Sequence, residues 1–271
     1  MDSATFVKDS SDLLAKYGWG ALTRPVQAVA EGIFPQIATL ERLRICPPIH
    51  PLRVIEHVLL AVAERPQPEA VVLALVIAAL CHDTAEIPKV TKTGASPIDG
   101  EHERRRILFR LEHEARGATN LVQAIKSTDV MLKSNGQSPI GLDVVQIAYQ
   151  VAVNHDAPSR DQRLPLDQRS PAGQALELFV QADTITMVEY LPPLLRGSAP
   201  VGPMAELWAA DKEFAPEKIK AQLASSAGSV CRRLRAAFGL PGDPGIERCF
   251  PITVFGGCAA RYVAEWRAEL G

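Results

Sequence analysis

The chain has 271 residues, 47% hydrophobic and 22% charged, ordinary values for a folded protein long enough to bury a sizeable core. Its net charge of −2, without a run of five like charges, advertises no basic face for nucleic acid. No apolar stretch reaches the ~18 residues of a spanning helix, and the first residues, MDSATFVKDS, lack the basic-then-apolar order of a secretion signal, so neither a membrane nor a nucleic-acid partner is expected.

Helical periodicity runs almost throughout and strand-like alternation is scarce, so the expected class is all-α. In chain order, helices are predicted over 3–17, 26–44, 51–64, 69–83, 101–115, 118–133, 141–154, 172–191, 204–212, 216–238 and 252–269. Prolines punctuate them: Pro51 suits a first turn, Pro66 and Pro68 precede the fourth helix, and Pro192-Pro193 are expected to end the 172–191 helix. The polar stretches 88–100 and 156–171 read as loops, and Gly239–Gly245 as a turn. One helical-bundle domain is expected, with a core over about 42–195 and a C-terminal extension over about 200–271. The extension, carrying Trp208, Phe250, Phe255, Tyr262 and Trp266, reads as core cover or as a homodimer surface. Five cysteines (46, 81, 231, 249 and 258) are scattered, without a C-x-x-C pair. That usage fits thiols in a reducing, cytoplasmic setting rather than a disulfide framework.

The most informative segment lies in the fourth helix. Twelve apolar residues, Ala70 to Cys81, run directly into His82-Asp83. An ionised carboxylate removed from water is costly unless paired or bound to a cation, and both side chains are good metal ligands. Six histidines (50, 57, 82, 102, 113 and 155) are available to complete a site. His50 stands before Pro51 on an amphipathic helix, and His57, two turns on, shares nearly the same stripe, so either can face His82. Asp183 sits among apolar residues on a core-rich helix and is the distal carboxylate candidate.

The spaced set His50, His82-Asp83, Asp183 resembles the HD superfamily of metal-dependent phosphohydrolases. Ile49-His50-Pro51-Leu52-Arg53-Val54 and Ala78-Ala79-Leu80-Cys81-His82-Asp83-Thr84-Ala85-Glu86 are closest to the RelA/SpoT-type hydrolase domain. Ala182-Asp183 resembles its closing "AD", and the similarity covers roughly 42–195. The resemblance implies one divalent ion, Mn²⁺ or alternatively Fe, Co, Ni or Zn, held by His50, His82, Asp83 and Asp183. It also implies that Glu86 activates water, with Asp83 as the catalytic ligand. Glu86 is one helical turn past Asp83, where it can take a proton without being a ligand. This chain has Glu86-Ile87 where the guanosine-tetraphosphate hydrolases carry Glu-Asp, which leaves simpler phosphomonoester hydrolysis open. The interval from Asp83 to Asp183 exceeds the family's usual spacing, and His102 and His155 within it are spaced for a second ion.

A small phosphorylated substrate, such as a nucleotide, needs cations near the ion. Arg53 lies one turn past His50, Arg44 precedes it, and Lys89 follows Glu86. No P-loop or G-x-G-x-x-G pattern is present. Two other classes share the scaffold: a di-iron oxygenase using His102 or His155, and a non-catalytic helical sensor or interaction module.

Overall fold

A computed structural model describes residues 1–42, 48–84, 99–160, 162–195, 228–242 and 244–270. The fold is all-helical, and no strand occurs among the described residues. The helices are α1 (Ser3–Lys16), α2 (Thr23–Arg42), α3 (Ile49–Glu64), α4 (Glu69–Cys81), α5 (Asp99–Ser134), α6 (Leu142–Asn154), α7 (Pro171–Leu195), α8 (Gly228–Phe238) and α9 (Thr253–Leu270). The predicted helix over 204–212 and the first part of 216–238 lie outside the described residues.

The apolar run around 70–81 becomes α4, which is buried on every side from Val71 onward except at half-buried Leu73. A helix without a polar face must sit at the centre of the bundle. Helices α2, α3, α5, α6 and α7 surround it. Helix α1 packs on α2 and α3, α9 lies on α7 and α3, and α8 packs on α7 and the short 3₁₀ turn Ala157–Arg160. No helix of the described residues is long and apolar enough to cross a membrane.

Two boundaries differ from expectation. Residues 101–133 form part of one continuous helix rather than two. Gly117, which falls between the two predicted helices, lies within α5 and lets it approach the end of α4, where a β-carbon at this position would collide with the backbone oxygen of His82. Helix α7 continues through Pro192-Pro193 to Leu195, so the prolines occupy its last turn rather than following it.

Candidate metal centre

The site is built where α4 ends. His82 N–H still bonds Ala78 O at 2.8 Å, and then Thr84 turns back, its N–H and hydroxyl both donating to Cys81 O at 3.0 and 2.6 Å. The side-chain amide of Asn120 on α5 holds Thr84 O from the other side. His82 and Asp83 are neighbours that mid-helix geometry would point apart. Fixed in this turn, both reach one point: His82 Nε2 lies 3.3 Å from Asp83 Oδ2.

Two other helices bring ligand atoms to that point. His50, in the first turn of α3, places Nε2 3.2 Å from His82 Nε2 and 3.3 Å from Asp83 Oδ2. Asp183 on α7 places Oδ1 3.4 Å from His50 Nε2 and 3.8 Å from His82 Nε2. Ligands about 2.1 Å from a common ion stand roughly 3.0–3.5 Å from one another in octahedral or tetrahedral geometry, close to the separations seen here.

A second group meets the opposite oxygen of the same carboxylate. His113 Nε2 on α5 and His155 Nε2 at the end of α6 lie 3.9 and 3.8 Å from Asp83 Oδ1. Each of the two sets, His50 with His82 and Asp83, and Asp83 with His113 and His155, offers three ligand atoms within 4.8 Å of one another. Asp83 is therefore common to both. The second group differs from the His102 and His155 read from spacing: His113 is the partner of His155, and the side chain of His102 lies outside the described residues. Gly117, one turn past His113, is the sequence signal for this approach, since it allows α5 to sit against His82.

Hydrogen bonds prepare the imidazoles as ligands. His82 Nδ1–H donates to Ala79 O at 3.0 Å and His155 Nδ1–H to Ala152 O at 2.7 Å. A carbonyl can only accept, so Nδ1 of each ring carries a proton and Nε2 is the ring atom turned toward the cluster. Phe179, one turn before Asp183, forms the apolar wall, edge-on to His82 and His155 at centroid distances of 5.3 and 6.1 Å.

The electrostatics are those of two carboxylates kept ionised by their neighbours. Burial pushes both carboxyls up, yet His82 and His50 hold Asp83 well below the usual carboxylate range. Arg233, His50 and His82 do the same for Asp183. Burial pulls the His50 imidazole down, but Asp183 and Asp83 outweigh it and hold its pKa up at about 9. A proton on His50 thus takes the place that a cation would fill. Burial, aided by His82 and His113, depresses His155 to about 4, so that ring stays neutral.

Arg233 on α8 is a site residue that the sequence reading missed. Its Nη2 donates to Asp183 Oδ2 at 2.9 Å and to His155 O at 3.0 Å, while Asp156 Oδ1 lies 3.8 Å away. It holds one oxygen of Asp183 so that the other faces the histidines. Read from sequence, Arg233 is one basic residue in the run Arg232-Arg233-Leu234-Arg235, which has no distinguishing mark.

The remaining candidates fall elsewhere. His57 turns away from the cluster, with Nδ1 2.9 Å from Thr186 Oγ1 and Nε2 3.1 Å from Glu189 Oε1. Arg53 pairs with both oxygens of Glu189 at 2.7 and 2.8 Å and with Glu56. Arg44, Glu86 and Lys89 lie outside the described residues. Asp83 is the most accessible member of the cluster, its side chain 22% exposed against 6% for His50 and 1% for His82. A shallow, mostly apolar depression lined by Ile37, Leu40, Pro51 and Leu80 reaches His82 and Asp83.

The residues present can hold a divalent metal. Comparison with known proteins gives no match to a family model, a curated protein or a solved structure.

Proposed function

We propose that this chain is a metal-dependent phosphohydrolase of the HD superfamily, acting on a nucleotide or another small phosphoester. The reading rests on the convergence of His50, His82, Asp83 and Asp183 from three parts of the bundle, with His82 Nδ1 tied to a backbone carbonyl and its Nε2 turned toward the others. A bound divalent ion, Mn²⁺ in this reading, supplies Lewis acidity and lowers the pKa of water. The protein's share is to fix the ligands, keep the apolar wall dry through Phe179, and leave Asp83, the most exposed ligand, on the side from which substrate approaches. Glu86 serves as general base, a role worth ~10²–10⁴-fold. Arg44 and Lys89 supply charge for the phosphate. For Arg53 to join them it must leave Glu189 and Glu56.

The second ligand group favours an extension to two ions, with His113 and His155 carrying the second and Asp83 between them. Two metals suit phosphodiester hydrolysis. The runner-up, a di-iron oxygenase, uses the same ligands with iron.

Elemental analysis of the purified protein, followed by a screen of phosphorylated metabolites with the metal found, tests the reading. His82→Ala and Asp83→Ala should each lose metal and turnover together, and unchanged hydrolysis by either variant sinks the proposal. Two irons per chain with substrate-dependent oxygen uptake would select the oxygenase. Metal without any turnover would select the sensor.

A further inference from the structure

Away from the metal centre, α8 and the 3₁₀ turn Ile246–Cys249 bring two thiols together. Cys231 and Cys249 are both fully buried, and their sulfurs lie 2.7 Å apart. Cys249 Sγ also faces Gly245 O at 3.4 Å and Cys231 O at 3.7 Å. The chain between them makes the turn at Gly239–Gly245, where Gly239, Gly242 and Gly245 take φ values of 65, 65 and 81°. Those left-handed positions suit glycine, and they fold the segment back so that residues 18 apart in sequence touch. Cys81, inside α4, and Cys258, on α9, are placed differently, and burial pushes both of those thiols up.

We infer that Cys231 and Cys249 form a redox-active dithiol that closes to an intrachain disulfide by exchange with a low-molecular-weight disulfide. One protein thiolate attacks a sulfur of the reagent, forming a mixed disulfide and releasing one small thiolate. The second protein thiolate then attacks the protein sulfur of that mixed disulfide, forming the Cys231–Cys249 bond and releasing the other small thiolate. The two thiol protons pass to the two released thiolates. The protein gives up two electrons, and the small disulfide is reduced to two thiols. A disulfide bond is about 2.05 Å long, so closure needs a shift of under about 1 Å from the observed contact. The bond would tie α8 to the segment that leads into α9. Arg233, two residues past Cys231, is the group that α8 contributes to Asp183, so the tether stands directly behind the metal centre. The inference does not depend on the proposed hydrolysis.

The test is refolding of the full-length chain from urea in a glutathione buffer with the oxidised form in excess, followed by an acid quench, alkylation and peptide mapping. Starting from the unfolded chain removes burial as a kinetic barrier. The expected product has two of the five thiols protected, linked as a single peptide pair containing 231 and 249, and reopened by dithiothreitol. Its melting temperature should exceed that of the reduced protein by roughly 5 °C, because the crosslink restrains the unfolded chain. Cys249→Ser should lose both the crosslink and that increment. Folded wild-type protein with both residues alkylated, a stable glutathione adduct at either, or pairing of either with another cysteine overturns the inference. The map of the wild-type protein decides even where the serine variant does not fold.

Discussion

Helices α3 and α7 bring buried charge together at two levels, and the two levels have opposite chemistry. Two turns into α3, Glu189 receives Arg53, His57 Nε2 and the Tyr262 hydroxyl, the last two at 3.1 Å each. Glu56 beside it is held by Arg53 and by Lys16 at 2.8 Å. Donors face acceptors and the charges cancel. At the first turn of α3, atoms able to bind a metal face one another: His50 Nε2 meets His82 Nε2, Asp83 Oδ2 and Asp183 Oδ1. Arg233 offsets the negative charge of the carboxylates from behind Asp183, and the proton on His50 offsets it from within. The carboxylates of both clusters are largely withdrawn from solvent, so burial does not tell a ligand site from a structural network. The convergence of several possible ligand atoms on one point does.

The sharpest way to break the contrast is at Asp83, which both metal groups share. Asp83→Ala should weaken metal binding more than about 100-fold, beyond the ~10–100-fold typical of groups that only support ligands. Metal content after dialysis against a chelator reads this out. Retention of metal by the variant would mean that the two groups do not depend on their common carboxylate. Next in size, Glu189→Gln should destabilise the fold by about 2–3 kcal/mol in urea denaturation. That is somewhat below the ~3–5 kcal/mol for breaking a buried pair, because the Arg53 side chain is 35% exposed. Its metal affinity should stay at the wild-type value. A loss of metal in this variant would merge the two levels into one site.

Gly117→Ala acts on the junction between α4 and α5. The added carbon meets backbone rather than a flexible side chain, so the helix must move, at about 1–3 kcal/mol. Because His113 is one turn away, metal binding by the His113 and His155 group should weaken more than binding by the His50 group. Titration of metal stoichiometry would separate the two, and equal weakening would argue against two distinct groups.

Much of this was legible before the fold. A histidine and an aspartate closing a wholly apolar helix can be read directly, because α4 has no polar face to hide them on. Asp183 could be read for the same reason. The helical stripe alone did not separate His50 from His57, since both lie on one side of α3, and His50 was chosen by the family resemblance. What separates them is what α7 presents at each level, Asp183 to one and Glu189 to the other. His113 was passed over for His102, because spacing alone does not say which residues of the continuous α5 come to lie against the end of α4. Arg233 arrives from α8, and no local pattern fixes where a surface-like arginine points once its helix has packed. The contact between Cys231 and Cys249 likewise depends on how the glycine turn folds.

The two levels should also answer pH with opposite signs. Burial pushes Glu189 up, but His57 and Arg53 outweigh it and hold its pKa down at about 2. A depressed carboxyl stabilises the fold above its unfolded pKa of about 4.5, and that stability is lost as pH falls through about 2. Glu189→Gln should lack this acid limb. In the metal-free protein, His50 is raised to about 9 by Asp183 and Asp83 against the effect of burial. Its contribution is full below about pH 6.5 and disappears as pH rises through about 9. Metal must displace that proton, so affinity should rise about tenfold per pH unit across this window. Calorimetry in buffers of different ionisation enthalpy should count one proton released near neutral pH. His155, depressed to about 4, holds none to release.

The smallest effect tests whether the Glu189 network is structural through and through. Tyr262 donates to Glu189 Oε1 at 3.1 Å, and burial together with that carboxylate pushes its phenol up to about 12. It therefore stays a neutral donor across the working range. Tyr262→Phe keeps the ring and removes one hydrogen bond to a charged group that retains Arg53 and His57 as partners. The cost should be about 1–2 kcal/mol, with metal affinity, proton release and turnover unchanged. If the phenylalanine variant instead shifts the pH dependence of metal binding, charge at Glu189 is felt at His50. The helices α3 and α7 would then transmit between the levels rather than hold them apart.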